Sequence, residues 1–226
     1  MSILALSGFI NGVLFLLIGI FVFFKDKKAK LNQFFALLCI GGAIWGISYG
    51  LWQVSENVED ALFFLRILSD GILLFGLFLY YCTLELLSLR KEKKREAFIF
   101  SFIVFIALFF PFTPYFFSEM QHFSFCYFWP KGELLYYIFS FIGFILVGYS
   151  FYYLLINANK KTSIEKKRID YFLLGLLIWV IGASTNFPQW MSIPLYPFGN
   201  FIMFLSPLII AFAILKYHLF NIKVIL

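Results

Sequence analysis

Two charged side chains lie deep within an apolar stretch of this sequence: Arg66 and Asp70, four residues apart within Ala61–Leu87. On a helix that spacing places both on one face. Counted from Ala61, Arg66 lies about 8 Å and Asp70 about 14 Å along the axis, at 1.5 Å per residue. An arginine at that depth can extend its head group back to the interface. An aspartate near mid-membrane must instead be paired, met by polar groups or protonated. The two side chains therefore either fix their helix against its neighbours or present charge to a ligand or a proton path. The second role predicts that Asp70→Asn changes a ligand response while leaving membrane insertion intact. Glu85, close to the end of the same run, reads as interfacial.

A second group combines ring faces with amides: Trp45, Tyr49, Trp52, Asn186, Gln189 and Trp190. Aromatic walls carrying a few polar groups are what a small-molecule pocket requires. Trp45, Tyr49 and Asn186, with Arg66 and Asp70, are the candidate ligand contacts. Trp52 and Trp190 read as interfacial anchors. Gly42, Gly46 and Gly50 form two overlapping GxxxG units, a stripe on which another helix can pack closely, and Gly8 and Gly12 repeat the spacing once. Ser206-Pro207, in the middle of the last apolar run, predicts a kink and a candidate signalling hinge.

Catalytic patterns are missing. There is no HExxH, no GxSxG and no phosphate-cradling glycine loop. His122 and His218 fall on opposite sides of the membrane and cannot share a metal ion. Cys39 and Cys82 lie in apolar runs and Cys126 in a loop, with no CxxC pair. A retinal Schiff base needs a lysine within a span, and the last run has none before Lys216. The sequence thus implies no enzyme activity, no cofactor and no metal.

The elements that must position these residues follow from composition. The chain has 226 residues, 62% apolar and 13% charged, with a mean hydropathy of +0.91. A soluble domain carries about 25% charged residues, so this is a membrane protein. Seven apolar runs stand out, over 3–24, 31–53, 61–87, 97–110, 134–156, 170–187 and 199–215. Spans of about 20 residues would together take about 140, leaving only short loops. The expected fold is an all-α, polytopic bundle of seven transmembrane helices forming a single domain over 1–226.

Charge sets its orientation. Lys25, Lys27, Lys28 and Lys30, then Arg90, Lys91, Lys93, Lys94 and Arg95, then Lys160, Lys161, Lys166, Lys167 and Arg168, and finally Lys216 and Lys223 fall on one side. Lys131 stands alone on the other. By the positive-inside rule the N-terminus is outside and the C-terminus cytoplasmic. Basic clusters at helix ends are explained by topology and anionic lipid, so no nucleic-acid partner is implied. The N-terminus lacks a cleavable signal pattern and reads as an anchor. The longest loop, 111–133, is outside and aromatic, with strand-like residues but poor alternation. An interfacial aromatic belt is the preferred reading of it, and a small extracellular hairpin the alternative.

Several segments together carry a family resemblance. Asn32-Gln-Phe-Phe-Ala-Leu-Leu with Trp45 beyond it, and Ala61-Leu-Phe-Phe-Leu-Arg66-Ile followed by Gly71, are two of them. Gly132-Glu-Leu-Leu-Tyr-Tyr137 and Lys167-Arg-Ile-Asp-Tyr-Phe-Leu-Leu-Gly175 are two more. The closest are Tyr196-Pro-Phe-Gly199 and Ala213-Ile-Leu-Lys-Tyr217-His-Leu-Phe-Asn-Ile222. In order and spacing the chain resembles the N-terminal seven-helix sensor region of bacterial histidine kinases. The resemblance implies a multi-pass protein of the bacterial inner membrane that passes an external or membrane-borne cue to a cytoplasmic output domain, commonly as a homodimer. The sequence ends at Leu226 with neither a phosphoacceptor histidine box nor an ATP-binding glycine box. It reads as an isolated sensor region, or as a free-standing protein that signals through a partner, with 216–226 as the start of the signalling segment.

The leading expectation is therefore a receptor for a small external or membrane-borne ligand, bound in the outer half of the bundle between helices two, three, six and seven and shifting the seventh helix. The abundance of Phe would suit a lipophilic ligand but is also a general feature of the chain. A proton- or cation-coupled transporter or channel built on Asp70 is the alternative, and a membrane scaffold subunit a further one. A transporter should show an internal three-helix duplication, but the glycine stripe of the second run has no counterpart in the sixth.

Overall fold

The computed structural model describes residues 2–158 and 163–217. Lys160, Lys161, His218 and nearly all of the expected signalling segment lie outside the described residues. The chain folds into helices α1 (Ile3–Lys25), α2 (Lys30–Gln53), α3 (Val58–Leu86), α4 (Lys94–Ala107), α5 (Leu134–Ala158), α6 (Ser163–Ser184), α7 (Phe187–Trp190) and α8 (Leu205–Tyr217). Strands β1 (Phe117–Phe123) and β2 (Cys126–Gly132) lie between α4 and α5.

Local chemistry sets several of these boundaries. The Ser2 hydroxyl accepts from the Ala5 amide at 3.0 Å and caps α1. The Asn57 side chain accepts from the Asp60 amide at 2.8 Å, and Glu59 and Asp60 place negative charge at the positive end of α3. At the far end of α1, the buried Asn32 amide donates to the Val22 and Asp26 carbonyls, two groups that the end of the helix leaves without partners. One amide thus closes the α1–α2 turn.

Helices α2 and α3 form the centre. Helix α1 packs along α2 through the glycine stripe, and the approach is closest at Gly46. A methyl group there would stand 2.5 Å from the Gly12 nitrogen and 2.8 Å from the Gly8 carbonyl. Gly42 faces the Phe15 ring and Gly50 the Phe9 ring, so the whole stripe is spent on α1 of the same chain. On the opposite side of α2, Gly41 meets Gly71 of α3. Helix α5 lies against α3, and α8 against α6. Helix α4 is peripheral; its Glu96 accepts from Tyr80 of α3 at 2.5 Å and from Tyr153 of α5 at 3.1 Å.

Among the described residues, six helical stretches are long and apolar enough to cross a membrane, with α4 extended to Phe112 and α6 counted together with α7. The expected seventh rod over 199–215 is broken. A 3₁₀ turn, Phe198–Phe201, comes first, and bonds from Ile202 to Gly199, Leu205 to Ile202 and Ser206 to Met203 keep the tighter pitch. Regular helix begins only at Leu205. Pro207 has no amide hydrogen for the Met203 carbonyl, so an α-helical ladder cannot pass through it unbroken. The expected mid-helix kink at Ser206-Pro207 is accordingly corrected: both residues belong to the first turn of α8, and the irregular backbone precedes them. Helix α6 starts at Ser163 rather than Asp170, since Glu165, Lys166, Lys167 and Arg168 continue it as a charged first turn and a half.

The loop preference is also corrected. Residues 117–132 form an antiparallel hairpin. Its register shifts between Phe117 and Met120, and again between Gln121 and Phe123, which is why the sequence alternates poorly. The hairpin lies over one end of the bundle, held by the Trp52 indole, which donates to the Phe128 carbonyl at 2.6 Å.

Candidate functional site

Beneath the hairpin, α2, α3, α5, α6 and α7 line a half-open cavity of about 110 Å³. All five tryptophans of the chain line it: Trp45, Trp52, Trp129, Trp179 and Trp190. Helical periodicity explains the first pair, because Trp45, Tyr49 and Trp52 recur at intervals of four and three and share one face of α2. Trp179 comes from α6, Trp190 from α7 and Trp129 from β2. Bulges in the hairpin turn Trp129 inward, and it is fully buried.

The rings form a continuous series. Trp179 meets Trp45 with centroids 5.9 Å apart, Trp45 meets Tyr49 at 5.5 Å, and Tyr49 meets Trp52 at 5.3 Å. Trp52 then meets Trp129 at 4.6 Å, Trp129 meets Trp190 at 5.9 Å, and Trp190 stacks on Tyr136 at 4.6 Å. Phe75 stacks on Trp179 at 4.0 Å. Edge-to-face and offset contacts of this kind are each worth about 0.5–1.5 kcal/mol beyond area burial, so the wall is stiff. Among the described residues no Asp, Glu, Lys, Arg or His contributes to it.

Polar groups gather at one corner. Asn200, in the 3₁₀ turn ahead of α8, donates to the Tyr49 hydroxyl at 2.6 Å. It exchanges side-chain bonds with Asn186, at 2.8 Å and 3.2 Å. Asn11 of α1 donates to the Asn200 carbonyl at 3.5 Å. Nearby, the Thr185 hydroxyl accepts from the Gly199 amide at 3.1 Å. The Gln189 amide donates to the Thr185 and Leu195 carbonyls, which fastens the α7 corner. A cluster drawn from α1, α2, the end of α6 and the start of the exit segment thus meets beside the aromatic wall.

Of the candidates read from the sequence, Trp45, Tyr49 and Asn186 line the cavity. Arg66 and Asp70 do not: they are half-buried on the flank of α3 away from it, while Ser69, Ile72 and Leu73 face inward. Among the described residues no ion pair joins the two. The Arg66 Nε and Asp70 Oδ1 atoms are buried without hydrogen-bond partners. Sharing one helix face was correct geometry, but the face is not the one that α2 and the cavity occupy. Trp52 and Trp190, read as lipid anchors, are 2% and 5% exposed and turn into the bundle. Sequence reasoning missed Trp129, Trp179, Tyr136 and Asn200. The available signal was the confinement of every tryptophan to one half of its span or to the loop beside it.

The chain can also be placed by comparison. No curated protein and no solved structure matches it. A family model described as the N-terminal 7TM region of histidine kinase matches residues 8–223. That region is the sensor part of the kinase and not its catalytic domain. The chain belongs to the family of N-terminal 7TM regions of histidine kinases.

Proposed function

We propose that this chain is a ligand-responsive sensor in the bacterial inner membrane. Its hairpin end faces outward, and α8 leads into the cytoplasm toward a kinase output domain or a partner protein, with a homodimer as the signalling unit. The lysine and arginine distribution supports the orientation. Trp45, Tyr49 and Asn186 contact the ligand, and the α1–α2 glycine stripe keeps the receiving wall in place.

One observation carries the reading: the Tyr49 ring belongs to the cavity wall, while its hydroxyl is bonded to Asn200 at the entrance to α8. A ligand that displaces the ring moves the acceptor of that bond. A molecule that binds one arrangement of Tyr49 and Asn200 better than another shifts the population between them. The irregular stretch ahead of Leu205 can absorb the change without breaking a regular helix. Kinase autophosphorylation, measured with this chain in place ahead of a catalytic region, tests the proposal. Tyr49→Phe and Asn200→Ala should each reset the basal level in membranes where the protein inserts normally. Output identical to the parent for both would remove the proposed route.

A further inference from the structure

The chemical class of the ligand can be read from the cavity, on the premise that the cavity is the sensory site. We propose that it takes a neutral, single-ring lipophile bearing a hydrogen-bond acceptor such as a carbonyl, and that the molecule arrives from the bilayer on the hairpin side.

Size is the first argument. A cavity of about 110 Å³ is below the usual range for drug-sized ligands but close to that of an apolar cavity that holds benzene. Charge is the second. With no charged side chain among the described residues of the wall, a charged ligand would surrender its hydration for nothing. The third is a specific lack. Trp129 and Trp179 both belong to the lining and are 0% and 4% exposed, yet neither indole N–H has an acceptor. Buried tryptophan N–H groups normally find one. The Ser69 and Ser184 hydroxyls of the same wall are already bonded to carbonyls of their own helices. The two N–H groups are unspent donors within the wall, closed to water, and an acceptor on the ligand meets one of them when its ring turns toward the cavity.

The route follows from a partition. Tyr136, Ser140, Phe144, Phe187 and Trp190 line the cavity on one side and a shallower depression on the other. That depression opens among Tyr137, Phe141 and Met191, all exposed on the apolar flank of α5 and α7. The hairpin covers the aqueous end, latched by Trp52. These shared side chains, with the Phe144 and Phe187 rings 5.1 Å apart, form the boundary between the half-open cavity and the lipid-facing depression.

Acetophenone and α-methylstyrene have nearly the same shape and differ in replacing the carbonyl oxygen by a methylene group. Equilibrium binding of each, and of benzoate, is measured on the full chain in lipid nanodiscs, with empty nanodiscs subtracted. Acetophenone should bind about tenfold more tightly than α-methylstyrene, a difference of about 1.4 kcal/mol, and benzoate not at all. The preference should vanish in Trp129→Phe/Trp179→Phe, and the carbonyl ¹³C resonance of bound acetophenone should move downfield only with the parent. If the double variant fails to fold, the ¹³C shift in the parent decides. Equal binding of the two isosteres, or an unshifted carbonyl, overturns the acceptor assignment while leaving the cavity as a site. Benzoate binding overturns the neutral class. Saturable binding by none of the three overturns both this inference and the cavity's sensory role.

Discussion

The side-chain amide of Asn200 donates to the hydroxyl of Tyr49 over 2.6 Å, joining residues 151 positions apart in sequence. Both are almost completely buried. Tyr49→Phe keeps the ring in the wall and removes only the acceptor. Asn200 retains its bonds to Asn186, so the loss should be modest, about 1 kcal/mol. Thermal unfolding in nanodiscs should show a lower Tm, and Asn186→Ala combined with Tyr49→Phe should cost more than either alone, because both serve one buried amide.

The glycine stripe makes a sharper prediction. Gly46→Val must push α1 and α2 apart, since even its Cβ would lie 2.5 Å from the Gly12 backbone nitrogen. Overpacking of this kind costs about 1–3 kcal/mol. Gly148, on the exposed face of α5, would meet nothing within 4 Å. Gly148→Ala should therefore match or slightly exceed the parent in Tm. Similar losses for the two would contradict the packing described.

The hairpin has its own reporter. Burial pushes the Cys126 thiol up from its ordinary 9.0 to about 11. Only the thiolate is nucleophilic, so at pH 8 alkylation by a small iodoacetamide should run about a hundredfold slower than for an unperturbed cysteine. The sign for stability is fixed. The folded state holds this proton longer than the unfolded one, so the contribution is intact below pH 9 and disappears as the pH rises to about 11. The hairpin should loosen over that window and not in acid.

Trp52→Phe removes the bond to the Phe128 carbonyl and leaves a ring behind. The hairpin should open more often, which faster labelling of Cys126 at pH 8 would register. Labelling at the parent's rate would show that the ring contact with Trp129, not the hydrogen bond, holds the hairpin down.

Asp70→Asn replaces a carboxylate that has a partnerless oxygen on a flank outside the cavity. The variant should insert at least as well as the parent and bind cavity ligands unchanged. A binding defect would restore Asp70 to the site.

The membrane class and the helix runs were legible because hydrophobic length and basic loop bias are carried by composition along the chain. Which way a helix face turns is not. Arg66 and Asp70 share a face by spacing alone, but only the packing of Gly41 against Gly71 decides that this face points away from α2. Trp52 at a helix end satisfies the rule for an interfacial anchor equally well whether it faces lipid or a neighbouring strand. Trp129 was hidden by the hairpin's register shifts, which erase period-two alternation. Asn200 sits alone beside a glycine, and nothing local distinguishes it from a turn residue until α8 is seen to start six residues later than the expected rod. Pro207 carried the right signal, a break, but the break falls on its N-terminal side.

Because every indole of the chain surrounds a single chamber, its ultraviolet emission is a built-in gauge. No background fluorophore of that kind sits elsewhere to dilute the signal, so a spectral shift on adding a compound would come from the chamber wall alone and need no attached dye.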